Sequence, residues 1–492
     1  MTVRITGSTL TLDDLVQVAR DGRPVALDPA VPEQMTRSRA VVERVLESGR
    51  AAYGLTTAVG VLKRVPLDGP AADAYARRLI GQHRVAQGAA APRDVVRATL
   101  LLQLNAFAGG LPGVRPVIAE RLVAALNDGP EPTVRILGSV GQADLAPLAD
   151  IAMNLFEGVE LAAGEGLALV TGNAFATAWG ALAIADLEQL IGVLDVGSAL
   201  GLEAIGANLS VLHPAVEGAR PHPGLARSLA LLRALLAGSS AWTEDAPRNL
   251  QDPLSYRTVA HVHGAARDAL DHARRIVEIE LNASQGNPLV VPEEESVVSV
   301  ANFEIVGLAA ALDYVRVVLA TVLASASERV VKLLETPWSG LPTGLSATDD
   351  PSEAGLEYLG IAVQALAAEA RLLAAPVSFE LVSTAHAEGI EDRMTMAPLA
   401  ARRTDEMVGL GRRVAAIELA VAAQAVQIRG TDRSGLGAGT AAAMRAIRAV
   451  VPFLAGGEPV ADVEPLVRRI EAGALDPDEI LGRASTDLLQ DP

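Results

Sequence analysis

Cysteine is absent from the 492 residues, which excludes disulfides, thiolate nucleophiles, thiolate zinc sites and iron–sulfur clusters together. Lysine is almost as scarce. Lys63 and Lys332 are the only two, so a pyridoxal Schiff base would have just those anchor positions. Aromatics make up 3% of the chain against 50% hydrophobic residues, and Ala, Leu and Val dominate. That balance favours long helices over strands and predicts a mainly α protein. Cations are the minority charge, with 41 Lys+Arg against 59 Asp+Glu, and the net charge of −18 speaks against non-specific binding of nucleic acid or an anionic membrane.

No charged segment followed by a long apolar one opens the chain. Val3 and Ile5 alternate around Arg4, a pattern that predicts a small N-terminal β-hairpin and no signal peptide, hence a cytoplasmic location. Gly166 to Ala185 is uncharged over about the ~20 residues of a membrane span. It contains Thr171, Asn173 and Thr177 and is flanked by the acids Glu165 and Asp186, so it reads as a buried central helix.

Helical periodicity predicts helices over 71–85, 92–108 and 115–127, then much longer ones over 168–203, 255–281, 302–335, 352–374 and 402–428. A Gly-Ser-Val-Gly turn at 138–141 runs into Asp144, an acid placed to cap the next helix. Three regions follow: 1–140 with a loop around Tyr53, a long-helix bundle over 141–430, and a helical extension over 431–492. Polar residues concentrate in the interruptions Tyr53–Gly60, Gly138–Pro147, Glu165–Asn173, Gln251–Arg257 and Gly389–Met396, where a site is expected.

Nucleotide and metal sites find no support. Gly435 to Gly439 lacks a preceding strand and a lysine, as a phosphate loop would not. His261 and His263 are two apart on a predicted helix and point to different sides; with His272 they read as surface or polar-interface residues, and no metal is expected.

The polar segments, in order, resemble the aromatic amino-acid ammonia-lyase family, which includes histidine and phenylalanine ammonia-lyases and related aminomutases. The likeness spans roughly residues 5 to 430. It rests on Tyr53-Gly54, His83, Asn105, Gly110, Gly113, Arg115, Gly138-Ser-Val-Gly141, Asp144-Leu-Ala-Pro-Leu-Ala149 and Glu165-Gly-Leu-Ala-Leu169. It continues through Gln251-Asp-Pro253, Arg257, Glu280-Leu-Asn282, Asn287-Pro-Leu289, Asn302-Phe303, Ser327-Glu-Arg329, Glu391-Asp392 and Met396-Ala397.

The resemblance implies an almost all-α bundle assembled as a homotetramer, with active sites drawn from three subunits and a small-molecule substrate. It makes Tyr53 the general base, Glu391 a second acid/base group and Arg257 a clamp for the substrate carboxylate, a task that suits a planar guanidinium. His83, Phe303, Gln251, Thr171 and Asn173 join as substrate-binding residues. A free phenol has a pKa of ~10, so Tyr53 would need a nearby positive charge, which Arg257 could supply. In isolation Arg257 reads better as an ordinary inter-helix ion pair, and Glu391 with Asp392 as solvated surface acids or helix caps; only the place of Arg257 after Gln251-Asp-Pro253 favours the clamp.

Departures cluster at one place. Relatives cyclise an Ala-Ser-Gly triad into the electrophile methylidene-imidazolone between Gly-Ser-Val-Gly and Asp-Leu-Ala-Pro-Leu. Here that gap holds only Gln142 and Ala143. Thr171 stands in place of an asparagine, Leu254 of a tyrosine, and Glu304 of a histidine. The sequence therefore leads to the expectation of a lyase-like enzyme without methylidene-imidazolone or any other cofactor. Such an enzyme would not be a standard amino-acid ammonia-lyase; it would act by Tyr-based proton abstraction, in an elimination, isomerisation or cyclisation, on a small carboxylate-bearing, amino-acid-derived substrate in specialised metabolism. A non-catalytic family member that binds a ligand or partner is the alternative.

Overall fold

In a computed structural model the described residues are 2–67, 69–379, 386–431, 435–460 and 462–488. Helices dominate, and the strands form three separate pairs. The chain divides into two compact units. The first comprises Met1–Ala185, Ala273–Asp313 and Pro376–Arg403; the second comprises Asp186–His272, Tyr314–Ala375 and Thr404–Pro492.

At the N-terminus the alternation is real but the hairpin is not. Strand β1 (Val3–Ile5) pairs in parallel with β2 (Val25–Leu27) across the helix Leu12–Arg20. A parallel partner must lie beyond a crossover, whereas a hairpin partner would have followed directly. Thr11 caps that helix by accepting from the Asp14 amide. Strands β3 (Gln87–Ala90) and β4 (Arg135–Leu137) are antiparallel, and β4 delivers the chain into the 138–144 turn. Strands β5 (Leu289–Val291) and β6 (Ser296–Val298) form the true hairpin.

Predicted helices recur with shifted ends, as Gly69–His83, Arg93–Ala108, Pro116–Asn127, Val306–Leu334, Glu357–Leu373 and Ala397–Arg429. The expected 168–203 helix is two pieces, Glu165–Val170 and Ala174–Ile205, parted at Thr171–Asn173. Its uncharged stretch is core. The most apolar window of Glu165–Ile205 is 89% buried, as fits a central helix. The irregular connection expected over 383–396 begins outside the described residues.

Several motif residues hold the first unit together. Arg115 donates to both oxygens of the fully buried Glu165, from Nε at 2.9 Å and Nη2 at 2.7 Å. Glu165 also accepts from the Ala162 amide, so its charge is fully compensated. Asn105 donates to the Leu281 carbonyl at 3.0 Å and accepts from the Gly7 amide at 3.0 Å. Asn282 both accepts from and donates to the Leu10 backbone at 2.9 Å. Leu55, Val41, Val42 and Val290 form a small apolar cluster that anchors the loop bearing Tyr53.

In the second unit, charge is buried at two places. Arg329 and Glu418, each 1% exposed, form an ion pair with Nε at 2.5 Å from Oε1. The Tyr256 hydroxyl donates to the Arg329 carbonyl at 2.8 Å. Asp195 accepts from His263 Nδ1 at 2.8 Å and pairs with Arg267 at 2.6 Å. Burial would raise the Asp195 carboxyl, but Arg267 and His263 outweigh it and hold it low. His263 is thus deeply buried, not at a surface, while His272 is exposed.

Candidate functional site

The turn after β4 is fixed from several sides. Gly141 takes φ +81°, and a Cβ there would come within 2.1 Å of the Thr395 hydroxyl, so no other residue fits without displacement. Its carbonyl accepts from Thr395 Oγ1 at 2.8 Å and from Asn173 Nδ2 at 3.2 Å. The Met396 amide donates to the Val140 carbonyl at 2.9 Å. The sequentially remote 395–397 segment therefore clamps the turn.

Asp144 does not cap the helix Leu145–Leu155 that it precedes. Its carboxylate instead accepts from the Ala176 amide at 2.7 Å, at the start of Ala174–Ile205, and from the Ser139 hydroxyl at 2.9 Å. Complete burial raises its pKa to about 6 despite those donors. Gln142 donates from Nε2 to Glu304 at 2.8 Å, and Glu304 lies 4.0 Å from Arg393. Ala143 is buried at φ +58°.

Beside this turn, Thr171 spends its hydroxyl on the Leu167 carbonyl at 2.5 Å, at the end of its own helix. Asn173 is fully buried, and its backbone amide donates to Gln285 Oε1 at 3.1 Å. Thr171 and Asn173 both border a cavity in this unit, which Gln103, Glu280, Ser284 and Gln285 also line.

Tyr53 sits in a turn, half-buried, with its hydroxyl accepting from the Gly60 amide at 3.1 Å. Burial pushes its phenol above the usual value; the Gly60 donor opposes this, and the charge of Glu391 and the neighbouring Tyr75 add to it. Tyr53 and Glu391, far apart in sequence, are therefore close enough for the carboxylate to act on the phenol. An ion pair joins their segments: Lys63 and Arg64 lie 3.1 Å and 3.4 Å from Glu388. Sequence reasoning weighed Lys63 only as a Schiff-base anchor and missed this contact, because nothing local couples 63 to 388. His83, the last residue of Gly69–His83, contacts the Leu79 carbonyl at 2.8 Å through Nδ1. Phe303 is half-buried.

Gln251 and Arg257 belong to the second unit. Gln251 is exposed, and Arg257 ends the short helix Leu254–Arg257. Asp252 between them is buried and accepts from the Asn208 amide at 2.7 Å.

The residues at 142 and 143 do not fit a ring cyclised from Ala-Ser-Gly. There is no serine between Gly141 and Asp144, and only two residues stand where the triad needs three.

Compared with known proteins, the aromatic amino acid lyase family model matches residues 10–158 and 154–449. Histidine ammonia-lyase of Symbiobacterium thermophilum is 35% identical over 494 residues, covering 95% of this chain and 96% of that protein. Histidine ammonia-lyase of Treponema denticola is 35% identical over 463 residues, covering 89% and 90%. Among solved structures, ergothionase of Treponema denticola, an ergothioneine-degrading enzyme in complex with desmethyl-ergothioneine sulfonic acid, superposes with a TM-score of 0.91 at 28% identity, covering 96% of this chain and 99% of that one. The fold is that of the aromatic amino-acid lyases. This chain is a member of that family.

These matches correct the functional expectation. The expectation of an enzyme outside the standard amino-acid ammonia-lyases, working with no cofactor, rested on the short gap at Gln142-Ala143 and the departures at Thr171, Leu254 and Glu304. Relatives named as histidine ammonia-lyases match nearly the whole chain at 35% identity, and they overturn both the separation from ammonia-lyases and the expectation of no cofactor drawn with it. The two-residue gap is a property of the sequence; the reaction does not follow from it.

Proposed function

We propose that this chain is an amino-acid ammonia-lyase whose substrate is a small imidazole-bearing amino acid or an N-methylated relative. The observation that carries this is the placement of the Tyr53 phenol, held by the Gly60 amide beside Glu391, in a chain related along its length to histidine ammonia-lyases. In the elimination, the Cβ–H bond breaks and its proton passes to Tyr53 as phenolate. The electron pair forms the Cα–Cβ double bond, and the Cα–N bond breaks with its pair leaving on nitrogen as ammonia.

A phenol pushed up by burial is a poor base on its own. The substrate's cationic amine lowers it on arrival by favouring the charged form, so base and substrate are matched. Glu391 is the second acid/base group, and its carboxylate is the counter-charge for the cationic amine until that nitrogen leaves as the neutral amine. Arg257 holds the carboxylate, with Gln251, His83, Phe303, Thr171 and Asn173 around the substrate.

An active homotetramer in the cytoplasm is part of the same reading, with Gln251 and Arg257 supplied by a neighbouring copy. Leu250 and Leu254, which flank Gln251, are 84% and 66% exposed and give such an interface its apolar contacts. The test is direct. Purified protein is incubated with L-histidine and with ergothioneine, and ammonia or trimethylamine is measured together with the ultraviolet absorbance of a conjugated product. Folded tetramer that releases neither amine from either compound would defeat the proposal.

A further inference from the structure

The residues that line the cavity beside Thr171 and Asn173 leave three side-chain oxygens unpartnered, two of them amide carbonyls and one a hydroxyl. Gln103 is buried and donates from Nε2 to the Leu169 carbonyl at 2.9 Å, and Asn173 donates from Nδ2 to the Gly141 carbonyl at 3.2 Å. An amide nitrogen engaged in this way sets which end faces the other direction. Gln103 Oε1 and Asn173 Oδ1 are buried without a donor, as is the Ser284 hydroxyl. All three residues line the same cavity.

Glu280 completes the lining. Among the described residues its carboxylate meets the Gln285 amide at 2.6 Å and no cation. Burial pushes its pKa up, with the Gln285 hydrogen bond opposing. A desolvated carboxylate next to carbonyl and hydroxyl oxygens lacks a positive partner. The free volume is about 50 Å³, above the ~10–15 Å³ that one water-sized guest needs.

We propose that this cavity binds an ammonium-sized monovalent cation, potassium or ammonium, held by amide and hydroxyl oxygens beside the Glu280 carboxylate. Neutral oxygens with a single carboxylate suit one positive charge. Divalent ions take more carboxylates or a fixed octahedral water shell. Amide and hydroxyl oxygens are hard donors, as such a cation requires. The proposal stands on the cavity and does not depend on the reaction, though ammonium would also be the lyase's product.

The experiment uses the full-length protein at constant ionic strength in potassium, ammonium, sodium, lithium or tetramethylammonium chloride. Potassium or ammonium is expected to raise the thermal midpoint by about 2–4 °C over tetramethylammonium, with saturation. Glu280→Gln should remove that difference. Should Glu280→Gln fail to fold, Ser284→Ala and a thallium(I) soak of wild-type crystals decide, the soak by an anomalous peak beside Glu280. A response to ammonium alone points to product as the occupant, and one to potassium alone to bulk salt; both support the site. Identical midpoints in all salts, or thallium binding only elsewhere, overturn it and leave a water-filled cavity. Because potassium and thallium binding need no turnover, loss of the ammonia-lyase reading would leave these outcomes unaffected.

Discussion

The Asp144 carboxylate accepts a hydrogen bond from the Ala176 amide at 2.7 Å, so one acid ties the 138–144 turn to the start of the Ala174–Ile205 helix. That amide belongs to the first turn of a long helix, where backbone N–H groups lack intrahelical partners and the helix dipole favours negative charge. The acid is nonetheless so buried that its pKa rises to about 6.

A pH dependence follows from that rise. With the folded pKa above the unfolded 3.8, this group's contribution to stability is fully present below pH 3.8 and is lost as pH rises through about 6. Asp144→Asn removes the ionisation. Urea denaturation of wild type and variant should therefore differ in their change between pH 4 and pH 7 by about 2 kcal/mol, the variant being flatter. At pH 4, where the folded carboxyl is protonated and, like an amide, keeps one accepting oxygen and one donor, wild type and variant should differ by less than ~1 kcal/mol. Parallel pH curves would show that Asp144 does not titrate in this range.

Gly141→Ala should damage the turn itself. The left-handed backbone and the 2.1 Å approach to Thr395 Oγ1 act together, and a loss of about 1–3 kcal/mol is expected from backbone strain, with more if Thr395 is displaced. Thermal unfolding measures the loss. A second substitution, Thr395→Ser, keeps the hydroxyl contact and should not relieve it.

Breaking the Arg329–Glu418 pair should be costly for a different reason. Glu418→Gln leaves a guanidinium buried without its counter-charge, and about 3–5 kcal/mol of stability should be lost. The double variant Arg329→Met, Glu418→Leu should lose less than Glu418→Gln alone, since no charge is then stranded. Equal losses would mean that the pair contributes packing and little electrostatics.

Tyr53→Phe tests the proposed base. Removal of a general base should lower kcat by at least ~100-fold, with stability nearly unchanged because only the Gly60 amide contact is lost. Since burial raises the phenol above ~10, kcat/KM of the wild type should still be climbing at about pH 9. A profile that levels off near neutrality would place the essential base elsewhere.

Much of this protein was legible in its residues, because helices are local. The scarcity of aromatics, the richness in Ala and Leu, and the 3.6-residue periodicity marked most helices within a few positions, and the uncharged 166–185 stretch was correctly assigned to the core. Ordered motifs gave the family. Two readings drawn from local pattern were incomplete: the alternation at Val3 and Ile5 suggested a hairpin, and Asp144 looked like the cap of its own helix. In both cases a partner over ten residues away won, β2 for the strand and Ala176 for the acid.

The amino-acid order by itself determined the helices, the family and the short gap at Gln142-Ala143. Only the tertiary structure decided which motif residues are scaffolding: Arg115 with Glu165, Asn105 and Asn282 with the N-terminal backbone, Arg329 with Glu418. It also brought Tyr53 under the charge of Glu391 and gathered Gln103, Asn173 and Ser284, each with a buried unpartnered oxygen, around one cavity. The reason is physical. Helix formation depends on neighbours within a turn or two, whereas burial, desolvation and the pairing of charges depend on side chains that meet only once the chain has packed.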